Sequence, residues 1–142
     1  MARYIGMMAI SQYSFQLTAA AVAVKGELAL LNPATGKLVV GAVAEGLIPI
    51  GHYNEDLTGT GTNLCNVRLF KEIFAYRFTN ASSSVTAAMV GAPCYVQTGS
   101  SVSGVATGKS VAGLVLEVDA TLGVLVWTEL AAAITTALAL VP

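Results

Sequence analysis

The chain contains a single histidine, His52, and this residue limits the catalytic chemistry that the sequence can support. A Ser-His-Asp site, a Cys-His site or a multi-histidine metal site would have to be built around its imidazole. His52 follows the apolar segment GLIPIG, residues 46–51, and precedes Tyr53 and an acidic loop. This position predicts a surface histidine at the end of a strand, with a general base as the alternative.

Two pairs of carboxylates lie close together in the sequence, Glu55 with Asp56 and Glu117 with Asp119. Such pairs could supply acid/base catalysis or bind Ca²⁺, and a glycosidase needs two carboxylates at a defined separation across a sugar. Nothing in the sequence fixes that separation for either pair. We therefore expect Glu55 and Asp56 in a solvated loop and Glu117 and Asp119 at a solvated hairpin end.

The glycine-rich segment TGTGTN, residues 58–63, is the other stretch that could bind a ligand. It lacks the GK[ST] ending of a phosphate-binding loop and the third glycine of a dinucleotide-binding motif, so it predicts a mobile turn. Asn80-Ala81-Ser82 matches a glycosylation acceptor, which matters if the chain is secreted. We predict no catalytic residue, no cofactor and no metal site, and we expect a protein that is not an enzyme.

The two cysteines, Cys65 and Cys94, do not belong to a CxxC motif. Lone cysteines of this kind are typically small buried hydrophobic residues, so we predict that both side chains lie in the core. A disulfide remains an alternative, because the sequence does not tell whether the two Cα atoms approach within about 7 Å.

The composition points to a partner-covered surface. Of the 142 residues, 55% are hydrophobic and 11% are charged, whereas about 25% are charged in an average soluble protein. The net charge is -1, and the basic residues are scattered from Arg3 to Lys109 without a run. Nucleic acid binding needs a basic stripe, so we expect no nucleic acid partner.

The uncharged run over residues 4–24 is as long as the roughly 20 residues of a membrane-spanning helix. Five polar residues interrupt this run: Ser11, Gln12, Ser14, Gln16 and Thr18. The apolar part, residues 5–10, is also shorter than the roughly 7 to 15 residues of a signal-peptide core. We therefore expect neither a membrane span nor a signal peptide here.

Glycines and turn residues divide the chain into short strand-like runs. Residues 28–31 and 38–43 flank the turn NPATG and predict a hairpin. Pro49 interrupts the next run, which predicts an edge strand or a bulge, and residues 54–63 predict an exposed loop. Residues 66–79 predict two strands with a kink near Lys71 and Glu72, and residues 92–97 predict a further strand.

The segment SVAGLVLEVDATLGVLVWTEL, residues 110–130, predicts a second hairpin. If Asp119 and Gly123 pair at the ends of a three-residue loop, Val118 faces Val124. In the same register Leu116 faces Val126, and Val115 lies opposite Trp127 on the other face of the strands.

Together these elements predict an all-β fold: a small single-domain β-sandwich or β-barrel with extended N- and C-terminal arms. The predicted boundaries are an N-terminal arm at residues 1–25, a β domain at residues 26–130 and a C-terminal arm at residues 131–142. The stretch from residue 78 to residue 108 has no charged side chain, so hydroxyls solvate it or another subunit covers it. No internal repeat at a fixed period is visible.

Seven sequence blocks follow one another along the chain: ATGKLV (34–39), GLIPIG (46–51), NVRLF (66–70), FAYRFTNA (74–81), VTAAMVGAPCYV (85–96), SVAGLVLEVD (110–119) and GVLVWTEL (123–130). In this order the chain between residues 26 and 127 resembles the small capsid decoration, or cement, proteins of tailed bacteriophages. No block is a catalytic signature, and the resemblance rests on their order. One departure is QTGSSV at residues 97–102, where proteins of this kind often have an acidic turn similar to DDQTV.

The resemblance implies a structural virion protein on the outer surface of the capsid. Its partners would be the major capsid protein and itself, usually as a homotrimer at threefold positions of the head. The alternative is a module on the virion that binds carbohydrate or the host surface through Tyr53, Tyr76, Tyr95 or Trp127. Aromatic rings that stack on sugars must be exposed on one face, which gives this alternative a structural test.

Overall fold

The computed structural model describes residues 11–40, 44–70, 75–131 and 133–134. Within these ranges the chain forms twelve strands and three short 3-10 turns, which confirms the prediction of a small all-β domain. The strands are β1 (Gln12–Gln16), β2 (Val22–Ala23), β3 (Leu28–Asn32), β4 (Lys37–Val39), β5 (Ile48–Tyr53), β6 (Leu57–Thr58), β7 (Leu64–Leu69), β8 (Ala75–Asn80), β9 (Pro93–Thr98), β10 (Ser101–Ser103), β11 (Val111–Asp119) and β12 (Gly123–Trp127).

The first unit is a five-stranded sheet in the order β1-β7-β5-β3-β4. A parallel bridge between Leu17 and Leu38 joins the two outer strands, so the sheet curls toward closure. The short β2–β6 pair lies outside this sheet. The core of the first unit consists of Leu17, Ala23, Ala29, Leu38, Tyr53, Cys65 and Val67, all at most 1% exposed.

The second unit is a closed barrel in the order β10-β8-β12-β11-β9. A parallel pairing of β10 with β8 closes it, and all its other strand pairs are antiparallel. Because alternate residues of a strand point to opposite faces, β12 places Val124 and Val126 inside the barrel. These two valines join Phe78, Cys94, Val96, Val102 and Val115 in the core of the second unit.

The two units have the same topology. If the five strands of each unit are numbered in chain order, both sheets read 1-5-4-2-3, and in both the first and third strands are parallel. The register of the first strand against the fifth also agrees. The paired residues are Tyr13 with Val67 and Phe15 with Cys65 in the first unit, and Tyr76 with Val126 and Phe78 with Val124 in the second. In the sequence, no repeat at a fixed period is visible.

Strand β3 connects the two units into one domain. Its side chains alternate, so Leu28 and Leu30 pack in the core of the second unit while Ala29 packs in the core of the first. A strand that is buried on both faces is apolar without interruption, which explains the run LALL. The amide of Leu28 also donates a hydrogen bond of 2.8 Å to the carbonyl of Gly99.

Part of the predicted N-terminal arm belongs to the domain. Residues 12–16 form β1 and pair with β7 over their whole length. The phenyl ring of Phe15 packs against the core of the first unit, which holds this uncharged strand in the sheet. Residues 1–10, most of the predicted C-terminal arm and the predicted kink at Lys71 and Glu72 lie outside the described residues, although Ala131 is described and buried.

The predicted strands are confirmed at the β3–β4 hairpin, at β7 and β8, and at β9. The edge position predicted for Pro49 is wrong, because β5 lies between β3 and β7, but the alternative of a bulge is confirmed there. The bulge offsets Ile50, so Leu30 pairs with Pro49 and Ala29 with Gly51. Within the predicted exposed loop 54–63, Leu57–Thr58 forms β6.

The register of the β11–β12 hairpin differs from the prediction beyond its turn. Val118 pairs with Val124 as expected, but a bulge follows at Leu116. Val115 therefore faces Val126, and Leu114 faces Trp127. The bulge leaves Leu116 38% exposed and keeps Val115 fully buried, so the shift preserves the core.

Candidate functional site

His52 lies at the junction of the two units. Strand β5 places it between Leu28 and Arg68 in a row across the first sheet. The ring is 8% exposed, so the predicted surface position is wrong. Its centroid is 3.8 Å from that of Tyr76 on β8 and 5.7 Å from that of Phe70. The second unit therefore covers the histidine.

The hydrogen bonds of His52 fix the state of the ring. Nδ1 lies 2.9 Å from the carbonyl oxygen of Gly26, and since a carbonyl accepts, Nδ1 carries the proton. Nε2 is buried and has no partner in the described part of the chain. Burial lowers the pKa of His52, because the charged ring would lose its hydration. The imidazole is thus a neutral packing group.

A surface cleft of about 370 Å³ borders His52. Lys25 and Arg68 supply its charged lining, and Asn54 and Tyr76 contribute polar atoms. None of the residues that line it is a carboxylate, a cysteine or a serine. The cleft therefore brings neither the serine or cysteine nucleophile nor the orienting acid of a catalytic triad to the histidine.

The acidic pair Glu55 and Asp56 caps backbone amides. One carboxylate oxygen of Glu55 accepts a hydrogen bond of 2.9 Å from the amide of Asn66. Asp56 accepts one of 2.8 Å from the amide of Lys25. These contacts hold the segment before β3 and the start of β7 in place, so each carboxylate stabilises a loop.

The second acidic pair is also divided between two structural contacts. Asp119 accepts hydrogen bonds of 2.8 and 2.7 Å from the amides of Thr121 and Leu122, and these bonds lower its pKa. Glu117 forms an exposed ion pair of 3.1 Å with Arg77 on β8. Within the ranges that the structure describes, no three His, Cys, Asp or Glu side chains gather as metal ligands.

The glycine-rich segment 58–63 closes on itself. The amide of Thr60 donates to the side-chain oxygen of Asn63, and the amide of Asn63 donates to the hydroxyl of Thr60. Asn80 of the glycosylation pattern is similarly occupied. Its amide nitrogen donates to the carbonyl of Val85 at 2.8 Å, and its oxygen accepts from the amide of Val85 at 3.0 Å.

Cys65 and Cys94 are free, buried and located in different units, as the prediction of two core residues required. The disulfide alternative is not realised. Burial raises the pKa of the Cys65 thiol to about 11 and that of Cys94 to about 12. Because the thiolate is the reactive form, both side chains are poor nucleophiles at neutral pH.

The four aromatic residues considered for sugar stacking do not form one exposed face. Tyr53 is 1% exposed, and its hydroxyl donates to the carbonyl of Val39 at 2.9 Å. Tyr76 pairs with Val126, which is next to Trp127, so the side chains at positions 76 and 127 point to opposite faces of the barrel wall. Tyr95 is partly buried on β9.

Two segments at one end of the barrel contain no charged residue, and we call them together the uncharged end: residues 81–91 and 103–106. The two segments touch, because the amide of Gly104 donates to the hydroxyl of Ser84 at 3.0 Å. Val90 and Val105 project from this end with exposed fractions of 52% and 51%. Half-exposed valines on a surface without charge are suited to contact another protein.

The sequence predicts the whole stretch from residue 78 to residue 108 as a candidate contact region, without identifying these two valines. Val90 precedes Gly91 and Val105 follows Gly104. An apolar residue beside a glycine in an uncharged stretch is a usable signal, because the glycine indicates a turn and turns lie at the surface.

Comparisons with known proteins add no relative. No protein-family model, no curated protein and no solved structure matches this chain. Across the described ranges, no helix has the length and apolar character needed to cross a membrane.

Proposed function

We propose that this protein is a structural virion protein of a tailed bacteriophage. It binds the outer surface of the head and stabilises the lattice of the major capsid protein, with no substrate and no cofactor. The observation that supports this proposal best is the uncharged end, where Val90 and Val105 are half exposed and no charged residue occurs in the two segments.

The resemblance to capsid cement proteins adds support, because its sequence blocks occupy regular positions of the fold. NVRLF falls on β7, FAYRFTNA on β8, VTAAMVGAPCYV ends in β9, and GVLVW is β12. The blocks thus include strands of both units, while β1 and β2 precede the region of resemblance.

The energetics of a shell suit a surface of this kind. At about 25 cal/mol per Å² of apolar area, a contact that buries about 800 Å² contributes a gross term of roughly 20 kcal/mol before the costs of association. A protein that binds the expanded lattice better than other states stabilises it by mass action. Many copies on one head multiply this effect without any single strong site.

The test uses expanded heads of the parent phage prepared without this protein. Purified protein is added, and the bound fraction is measured by co-sedimentation and located by electron cryo-microscopy. We expect binding on the outer surface and a higher temperature of DNA release. Heads that do not bind the protein, or that release DNA at an unchanged temperature, would contradict the proposal.

A charge placed at the uncharged end sharpens the test. The double variant V90D/V105D should weaken head binding at least about tenfold, because a carboxylate is costly to bury at an interface. The matched control is Leu64→Asp, since Leu64 has an exposed fraction of 60% on β7 of the first unit, outside the uncharged end. Equal binding by both variants would place the contact elsewhere on the molecule.

A further inference from the structure

The shared topology allows each residue of one unit to be matched with a residue of the other. A Cβ atom at Gly51 would lie 2.1 Å from the carbonyl oxygen of Arg68, and one at Gly113 would lie 2.4 Å from that of Trp127. Both glycines are on the fourth strand of their unit and follow a bulge against the second strand. Gly51 therefore corresponds to Gly113, and Arg68 corresponds to Trp127.

This correspondence extends across the sheets as two matching rows. In the first unit the row crosses the second, fourth and fifth strands as Leu28, His52 and Arg68. In the second unit the directly paired residues at the same places are Pro93, Leu114 and Trp127. We call them the first row and the second row.

Inside the chain, the second unit covers Leu28 and His52 of the first row, while Arg68 at the end of the row is exposed. The ring of Tyr76, on the first strand of the second unit, lies over His52 with a centroid distance of 3.8 Å. Leu28 is 0% exposed and belongs to the core of the second unit. The contact thus joins the row of one unit to the first-strand tyrosine of the next.

The reciprocal contact does not form within the chain. Tyr13 corresponds to Tyr76, because each pairs with the equivalent valine of the fifth strand. A twofold relation between the units would place Tyr13 against Leu114, yet Tyr13 is 53% exposed and its ring contacts Phe15 of its own strand. The junction therefore joins two different surfaces, a row on one unit and a tyrosine on the other. A head-to-tail contact of this kind leaves one surface of each type unoccupied, and a further copy of the chain can bind there.

The second row is suited to bind a tyrosine of another copy. Pro93, Leu114 and Trp127 are all apolar and all partly exposed, whereas the first row contains a cation at Arg68. Neither Leu114 nor Tyr13 packs against either core. A tyrosine ring on an apolar row buries aromatic area without removing a charge from water.

We propose that the protein assembles head to tail, with Tyr13 of one copy seated on the second row of the next. The contact repeats the junction already present between the two units of one chain. This inference does not rest on binding to a phage head, because it follows from the repeat and from the exposure of Tyr13.

A directional cross-link tests the contact. The full-length variants Tyr13→Cys and Leu114→Cys are prepared separately, mixed and oxidised, while Cys65 and Cys94 remain buried in the core. We expect a covalent pair that contains one copy of each variant, and no pair from either variant alone. A covalent pair from Tyr13→Cys alone would show a twofold contact and overturn the proposal.

The oligomeric mass supplies an independent measurement that does not depend on the cysteine variants. Wild-type protein should sediment as an oligomer, and Tyr13→Ser should weaken association at least about tenfold, because an aromatic anchor is lost. The matched control is Leu64→Ser, since Leu64 is 60% exposed on β7 and pairs with Gln16 on the face opposite to Tyr13.

Two results of the mass measurement would reject the proposal, and a third would come from a truncated chain. One is a wild-type protein that remains monomeric at high concentration. The other is association of the wild type that Tyr13→Ser leaves unchanged. If deletion of residues 135–142 converts a monomeric chain into an oligomer, the occupant of the second row is that segment of the same chain, and the proposal is wrong.

Discussion

The two five-stranded units share a strand order and a register, but they differ in what covers them. The first unit is joined at its seam by the Leu17–Leu38 bridge, whereas the second closes through two paired residues of β10. Leu28 and His52 of the first row are buried at the junction, whereas Pro93 and Leu114 at the equivalent places of the second row are partly exposed. Two units with the same topology can therefore have outer surfaces that make different contacts.

The same comparison separates residues that shape the chain from residues that make contacts. Gly51 and Gly113 are identical because both backbones pass close to the neighbouring strand. Their successors, His52 and Leu114, differ because one lies under another unit and the other faces outward. Residues that are identical in the two units therefore reflect constraints on the backbone, whereas residues that differ lie on surfaces with different contacts.

The largest expected effect comes from adding a methyl group at Gly51 or Gly113, the glycines that occupy equivalent positions in the two units. Gly51→Ala and Gly113→Ala should each lower the free energy of unfolding by about 3 kcal/mol or more, because the new Cβ overlaps a backbone carbonyl. The measurement is chemical denaturation. The control is Gly46→Ala, whose added Cβ meets nothing within 4 Å, so it costs about 1 kcal/mol from its positive φ alone. Equal losses at all three sites would remove the packing argument.

A second test concerns a loop that the units do not share. Asn80 holds Val85 through both its amide nitrogen and its oxygen, while the equivalent place in the first unit is occupied by Leu17. Asn80→Ala should cost about 2 kcal/mol, because it leaves the polar groups of a buried residue unpaired. Thermal unfolding measures the loss. A cost near zero would mean that the left-handed Ser82 and Ser83 are supported by other contacts.

The third test uses acid to distinguish the two rows. The folded pKa of His52 is below 6.5, so the unfolded chain binds a proton first as the pH falls. The contribution of His52 to stability is complete above pH 6.5 and is lost as the pH decreases toward its folded pKa.

The variant His52→Leu introduces the residue that the second unit has at this place. It should lack the part of the stability loss that the wild type shows as the pH falls below about 6.5. Denaturation curves at several pH values compare the two proteins. Parallel losses in both would assign the acid sensitivity to carboxylates instead.

The smallest expected effect concerns the ion pair between Arg77 and Glu117, since the residue equivalent to Arg77 in the first unit is the uncharged Ser14. Its side chains are 35% and 50% exposed, so water and salt screen the attraction. Arg77→Gln should change the free energy of unfolding by within about 0.5 kcal/mol. A loss several times larger, measured by denaturation, would make this pair a structural part of the second unit.

Much of the fold could be predicted because turn residues and apolar runs are local signals. The β3–β4 hairpin follows from NPATG, and the buried cysteines follow from their isolation in the sequence. The bulges at Ile50 and Leu116 could not be predicted, because they depend on which partner keeps its side chain in the core. The burial of His52 depends on the second unit, and no feature near residue 52 indicates it.

The repeat is not visible in the sequence for a physical reason. The units agree at glycines and at alternating core residues, but their turns differ in length, so equivalent residues do not recur at a fixed period. The aligned pairs include Gly26 with Gly91 and Gly46 with Gly108, which all have positive φ. Strand register reveals the match because hydrogen bonding between strands does not depend on loop length.

The separate placement of the cysteines gives the molecule an internal reporter for each half. Cys65 is enclosed by the first unit and Cys94 by the second, and both are hidden from solvent. A thiol reagent can reach each sulfur when its own half opens, so the two labelling rates measure two separate opening events in the unmodified chain. If the singly bridged seam at Leu17 is the weaker closure, Cys65 will be labelled first.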